Sequence, residues 1–231
     1  MLLPGLDGTE VFFRPLLLAL PKWIRPIVVT YPMSGANDYS NLLSVVRGAI
    51  EDCEEFYVLG WSFSGPLALM LAAAEPDRTR GVILCASFIR CPRPVLRSVR
   101  FALVSPIVRL ARIAHRLHPY CSKQFPHSIR RDTAETLCRV PSSVVAARVR
   151  VLLDLDARQC LRTCRPPVLY LAASRDRVVP RWNAVEVVRE LPSAKLVTMA
   201  GPHLALYTNP THAARAITGF ILESEELASG I

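Results

Sequence analysis

The chain has 231 residues, 51% of them apolar, and 28 basic against 19 acidic side chains give it a net charge of +9. That is enough material for one α/β domain with an insertion, and no run of about 18 apolar residues marks a membrane span. Met1-Leu2-Leu3 runs straight into Pro4-Gly5 without a charged leader or a small-residue cleavage site, so no signal peptide is expected.

The seven cysteines (53, 85, 91, 121, 138, 160 and 164) are odd in number and scattered. Cys160 and Cys164 are four apart, but no second Cys/His pair at ligand spacing completes a zinc site. Reduced thiols in a cytoplasmic protein, with no metal, are the expectation. The charge is uneven. Residues 87–166 hold 16 basic and 4 acidic side chains, or +12, whereas the rest holds 12 and 15, or −3.

In chain order, short runs apolar on both faces predict strands at Met1–Leu3, Ile27–Tyr31, Phe56–Gly60, Gly81–Ser87, Pro167–Ala172 and Lys195–Met199. Helices are predicted between them at Glu10–Leu20, Asp38–Cys53 (capped by Asn37 or Asp38), Ser64–Ala74, Arg181–Leu191 and His212–Glu226. This alternation implies a doubly wound parallel sheet whose ligand site lies at the carboxyl ends of the strands.

Residues 88–165 interrupt the pattern with prolines and helical pieces, Val95–Leu117 and Pro141–Leu155. In the first piece Arg97, Arg100, Arg109, Arg112 and Arg116 recur beside an apolar stripe. The plainer reading is a helical cap with its arginines in water; the sharper one adds peripheral contact with anionic lipid. With no recognisable nucleic-acid module, charge alone is only an electrostatic footprint, and no nucleic-acid partner is expected.

The segment Gly60-Trp61-Ser62-Phe63-Ser64-Gly65 lies between a strand and an alanine- and leucine-rich helix. A serine pinched there between small residues is the pattern of a nucleophile elbow. Ser64 is a rival nucleophile by composition, but it would put Pro66 in the trailing small position, so Ser62 fits better. A serine hydroxyl needs a base and an orienting acid. Asp176 follows the strand Pro167–Ala172, and His203 follows Lys195–Met199, giving the order Ser, Asp, His, each at a strand's carboxyl end.

Among the other histidines, His115, His118 and His127 fall in the cap and His212 starts a helix. Asp154 and Asp156 precede their strand, and Asp7 reads as a turn residue. The backbone N–H of Phe63, directly after the serine, and that of Leu6, in the loop Pro4-Gly5-Leu6-Asp7-Gly8-Thr9, would form an oxyanion hole.

Through Pro4-Gly5-Leu6-Asp7-Gly8, the elbow, Asp176 before Val178-Val179-Pro180, and Gly201-Pro202-His203, nearly the whole chain resembles α/β-hydrolase-fold serine hydrolases. Small carboxylesterases, including those that cleave pimeloyl-type esters, are most similar in elbow and cap. The resemblance implies a core formed by 1–87 and 166–231, a helical cap at 88–165, and ester, thioester or related acyl chemistry on a small-molecule acyl ester without a cofactor.

The oxyanion loop of that family usually begins His-Gly, where this chain has Pro4-Gly5, and the elbow's second glycine is here Ser64. The family's first two strands are absent, leaving six of eight, as in a minimal version or a start downstream of a longer reading frame. A serine carboxylesterase is the leading expectation. The alternatives are an acyltransferase or thioesterase on the same fold and a catalytically silent binding protein.

Overall fold

The computed structural model describes residues 1–95 and 126–229. Among these, five strands form one parallel sheet in sequential order: β1 (Leu2–Leu3), β2 (Phe56–Trp61), β3 (Thr79–Cys85), β4 (Val168–Ala173) and β5 (Lys195–Met199). The helices are α1 (Arg14–Ala19), α2 (Tyr39–Gly48), α3 (Gly65–Ala74), α4 (His127–Arg139), α5 (Ser142–Leu153), α6 (Arg158–Arg162), α7 (Trp182–Glu190), α8 (Ala205–Thr208) and α9 (Pro210–Ser229). The expected helix Val95–Leu117 and its arginine stripe lie, all but Val95, outside the described residues.

The strands β1 to β4 bury both faces because each alternates between two apolar layers, whereas the edge strand β5 buries only Met199 fully. Phe56 and Val58 of β2, Val82 and Leu84 of β3, and Val168 and Tyr170 of β4 pack in one layer with α2, α3, α6 and α7. Leu59 and Trp61, Ile83 and Cys85, and Leu169 and Leu171 pack in the other with α1, α8 and α9. Right-handed crossovers advancing one way across a sheet put their helices on a single face. That accounts for α2, α3, α6 and α7 lying together, and leaves the opposite face to α1 and the terminal α9.

The expected six strands reduce to five. Ile27–Tyr31 pairs with β1 through a single bridge, Leu2 to Val28, with Leu2 N–H donating to the Ile27 carbonyl (2.7 Å) and Val29 N–H to the Leu2 carbonyl (3.0 Å). The ladder stops there because the next donor along β1 belongs to Pro4, which has no N–H. α2 is shorter than Asp38–Cys53 but begins as expected: the Asp38 carboxylate accepts the Asn41 N–H at 2.9 Å.

The segment between β3 and β4 leaves and rejoins the sheet at one place. Arg90 and Asp156 form an antiparallel bridge, and Ala157 N–H donates to the Ile89 carbonyl at 2.7 Å. No helix of the described residues is long and apolar enough to cross a membrane, and Cys53, Cys85, Cys91, Cys160 and Cys164 are free thiols.

α3 is apolar all round, as befits a helix wedged between the sheet and α2, and Leu67 in its first turn is fully enclosed. Leu67→Ala is therefore expected to lower unfolding stability by about 2–5 kcal/mol, read from the midpoint of a urea titration at unchanged slope.

Candidate active site

The end of β2 turns into α3 through a tight turn over Ser62–Ser64, and Ser62 takes a left-handed conformation with φ of 52°. The turn is close enough that a Cβ on Gly60 would meet the backbone of Ser64 and the Cα of Gly65, the latter at 2.7 Å. A Cβ on Gly65 would in turn meet the Ser87 side chain. Glycine at 60 and 65 is thus a requirement of contact. The turn is braced from outside as well. The Ser87 hydroxyl donates to the Ser62 carbonyl (2.6 Å), and the Tyr39 hydroxyl to the Phe63 carbonyl (2.7 Å). The Tyr39 and Phe63 rings stack with centroids 5.0 Å apart.

Ser64 does not face the cavity chemistry. It is fully buried, and its hydroxyl donates to the Pro4 carbonyl and bonds the Tyr31 hydroxyl at 2.5 Å. Burial pushes the Tyr31 phenol well above its ordinary range, so it stays neutral at physiological pH. Where a glycine would leave this junction unlinked, Ser64 ties the elbow to the loop after β1.

Ser62, His203 and Asp176, far apart in sequence, come together. The His203 Nε2 lies 2.9 Å from Ser62 Oγ, and its Nδ1 lies 2.7 Å from Asp176 Oδ2. The other Asp176 oxygen accepts the N–H groups of Val178 and Val179, both at 2.8 Å, which fixes the carboxylate in its turn.

The loops carrying Asp176 and His203 are laced together. Arg175 N–H donates to the Gly201 carbonyl (2.9 Å), Ser174 N–H to that of Met199 (2.9 Å), and Gly201 N–H to the Ser174 hydroxyl (3.2 Å). Gly201 sits at φ of 139°, a conformation natural to glycine. Behind the imidazole the Trp61 ring stacks at 6.1 Å between centroids.

Other candidates stand apart. His127 is exposed at the start of α4, and His115 and His118 lie outside the described residues. Asp156 is engaged by Arg158, whose guanidinium holds its carboxyl down to about 2. The Asp7 carboxylate accepts the N–H and hydroxyl of Thr9, closing its own turn.

Above Ser62 is a cavity of about 400 Å³ whose wall includes Leu6, Phe12, Phe63, Phe88, Leu152 and Val178. Leu6 and Phe63, the two expected amide donors, therefore border the same space as Ser62 and His203. A second cavity of about 540 Å³ adjoins it across Phe12, Val178, His203 and Leu204, with Arg175 and Arg177 on its wall. Sequence reasoning passed over Arg148 of α5, which is fully buried and hydrogen-bonds the carbonyls of Leu6 and Asp7. Its signal was present: Arg148 stands at four-residue steps between Val144 and Leu152, on the helix's apolar stripe.

Comparison with known proteins agrees with this architecture. The sequence profile of the Alpha/beta hydrolase family matches residues 1–216. A pyrrolizixenacetamide deacetylase of Xenorhabdus hominickii is 24% identical over 178 residues, 74% of this chain and 66% of that protein. A pimeloyl-[acyl-carrier protein] methyl ester esterase of Neisseria meningitidis serogroup A is 28% identical over 155 residues, 62% of this chain and 49% of that protein. The matches thus span just under two thirds and about half of those relatives. Among solved structures, the enol-lactonase of Burkholderia xenovorans LB400 superposes with a TM-score of 0.82 at 17% identity, covering 96% of this chain and 90% of that one.

Replacing Ser64 by alanine strands the buried Tyr31 hydroxyl and the Pro4 carbonyl. The expected outcome is a loss of about 1–3 kcal/mol in unfolding free energy, measured by urea titration.

Proposed function

The chain belongs to the Alpha/beta hydrolase family, and on that premise we propose that it is a carboxylic ester hydrolase acting through Ser62, His203 and Asp176. The observation that carries this reading is the unbroken run of contacts from Asp176 Oδ2 through both imidazole nitrogens to Ser62 Oγ, at 2.7 and 2.9 Å. The names of the two relatives, a methyl ester esterase and a deacetylase, support acyl-group removal as the chemistry. The apolar wall above Ser62 suits an apolar acyl group.

In this reading Ser62 Oγ attacks the ester carbonyl while His203 Nε2 takes its proton. Asp176, held by two backbone amides, keeps Nδ1 protonated and stabilises the imidazolium that forms. The negative charge moving onto the carbonyl oxygen is received by the N–H groups of Phe63 and Leu6. Collapse of the tetrahedral intermediate expels the alcohol, which leaves with the proton held on Nε2. Water then enters, gives a proton to the same nitrogen, and attacks the acyl-enzyme; the second collapse returns the proton to Ser62 and frees the acid.

The proposal includes a core of residues 1–87 and 166–231 with 88–165 as a cap, a cytoplasmic setting, and contact of the basic cap with anionic lipid. The lipid contact predicts salt-sensitive binding to phosphatidylserine vesicles that falls when Arg109, Arg112 and Arg116 are changed to glutamine.

The main test is a series of p-nitrophenyl acyl esters of increasing chain length together with a fluorophosphonate probe. Wild-type protein is expected to hydrolyse at least one ester and to be labelled. Ser62→Ala should lose both, with kcat down about 10⁴–10⁶-fold, and Asp176→Asn should lose about 10⁴-fold. Equal rates for wild type and Ser62→Ala would defeat the reading.

A further inference from the structure

Arg148 is the bulkiest side chain fully enclosed among the described residues. Its guanidinium is spent on three separate stretches of chain. Nη1 donates to the carbonyls of Leu6 (2.9 Å) and Asp7 (2.8 Å), Nη2 to the Pro32 carbonyl (3.0 Å), and Nε to Asn37 Oδ1 (3.0 Å). One face of it lies over the Tyr31 ring, 5.4 Å from the centroid.

Among the described residues no carboxylate lies within ion-pair distance of it. The acid in its field is Asp7, whose Oδ2 accepts both the N–H and the hydroxyl of Thr9. Burial pulls the guanidinium down to about 10, which still leaves it a cation at neutral pH. An enclosed cation without a matching carboxylate is a poor way to fill space, since an apolar side chain of similar volume avoids the desolvation. What an apolar side chain lacks is the set of donors.

Those donors supply what the sheet leaves out at this edge. β1 has two residues and its ladder ends at Pro4, so the loop Pro4–Thr9 has little strand pairing to hold it. Two bonds fix the peptides on either side of Leu6. The Gly5 carbonyl accepts the Gly8 N–H at 3.0 Å, which sets the plane containing the Leu6 N–H. The Leu6 carbonyl accepts Arg148 Nη1, which sets the next plane. Gly8, at φ of 71°, has no room for a Cβ because the guanidinium carbon would lie 2.8 Å from it. The turn is moulded around the arginine.

We propose that Arg148 is a positioning residue for the oxyanion loop: through the Leu6 and Asp7 carbonyls it aims the Leu6 N–H at the carbonyl carbon's oxygen above Ser62. This rests on the acyl chemistry proposed above. It joins α5, on the far side of the 96–125 segment in sequence, to the first loop of the chain, so the site is completed by a helix that carries none of its reacting groups.

The test compares full-length wild type, Arg148→Met, Arg148→Lys and Asn37→Ala, with active serine titrated by fluorophosphonate and folding checked by circular dichroism and thermal melting. Arg148→Met is expected to lose about 10²-fold in kcat, the scale of one oxyanion donor, with KM little changed. Arg148→Lys should fall in between, because one ammonium can still serve the Leu6 and Asp7 carbonyls.

A folded Arg148→Met with unchanged kcat overturns the proposal, and so does a raised KM at constant kcat, which would mean direct contact with substrate. If Arg148→Met does not fold, Asn37→Ala decides. It frees Nε alone, and a several-fold fall in kcat at constant KM supports the proposal whereas an unchanged kcat overturns it. A wild type inert to every ester and to the probe would sink the acyl reading and the loop's role together. An active wild type matched by Arg148→Met would sink the positioning role alone.

Discussion

One approach of backbone to backbone governs the rest of this structure: the first turn of α3 lies directly against Gly60 at the end of β2. With no side chain at 60 or 65, the chain reverses from strand to helix within three residues, and the residue at the apex is forced to positive φ. For a non-glycine residue that conformation costs roughly 1–2 kcal/mol. The cost is met by contacts made to the turn from separate elements: Ser87 after β3, Tyr39 on α2, and Tyr31 and Pro4 beside β1. Ser87 is itself delivered by a second positive-φ residue, Ala86, and is gripped by the Tyr170 hydroxyl from β4. The sheet order matters here because neighbouring strand ends supply most of these braces.

The sequence was legible where a residue's role depends on its near neighbours. Strand positions followed from short runs apolar on both faces, and the elbow from small residues around Ser62. Asp176 and His203 could be found because each lies just past a strand, and chain order alone then suggested that they belong together. The Asp38 cap of α2 was legible for the same reason, since its bond runs only three residues along the chain.

What escaped reading depends on contacts between distant segments. Ile27–Tyr31 has a strand's composition, but pairing needs a partner, and β1 offers only Leu2 before Pro4 removes the next donor. Arg148 looked like one more arginine in a strongly basic stretch. Its acceptors, Leu6, Asp7, Pro32 and Asn37, lie more than a hundred residues away, and nothing local announces that four oxygens will converge on it. Ser64 read as a departure from a glycine pattern, and its hydroxyl's partners across the fold give it a positive role.

The bridge between Arg90 and Asp156 has a bearing on how such a protein changes over evolution or in the laboratory. Because Arg90 and Asp156 are paired, the chain that leaves after β3 comes back beside its own point of departure before entering β4. That pairing fixes the gap any alternative content must span, while Ile129, Leu152 and Leu155 within the segment pack in the same core as β3 and β4 and tie what is spliced in to the sheet. A replacement must also keep a donor to the Leu6 and Asp7 carbonyls in the place of Arg148. A graft chosen for surface shape alone would strip the first loop of those bonds.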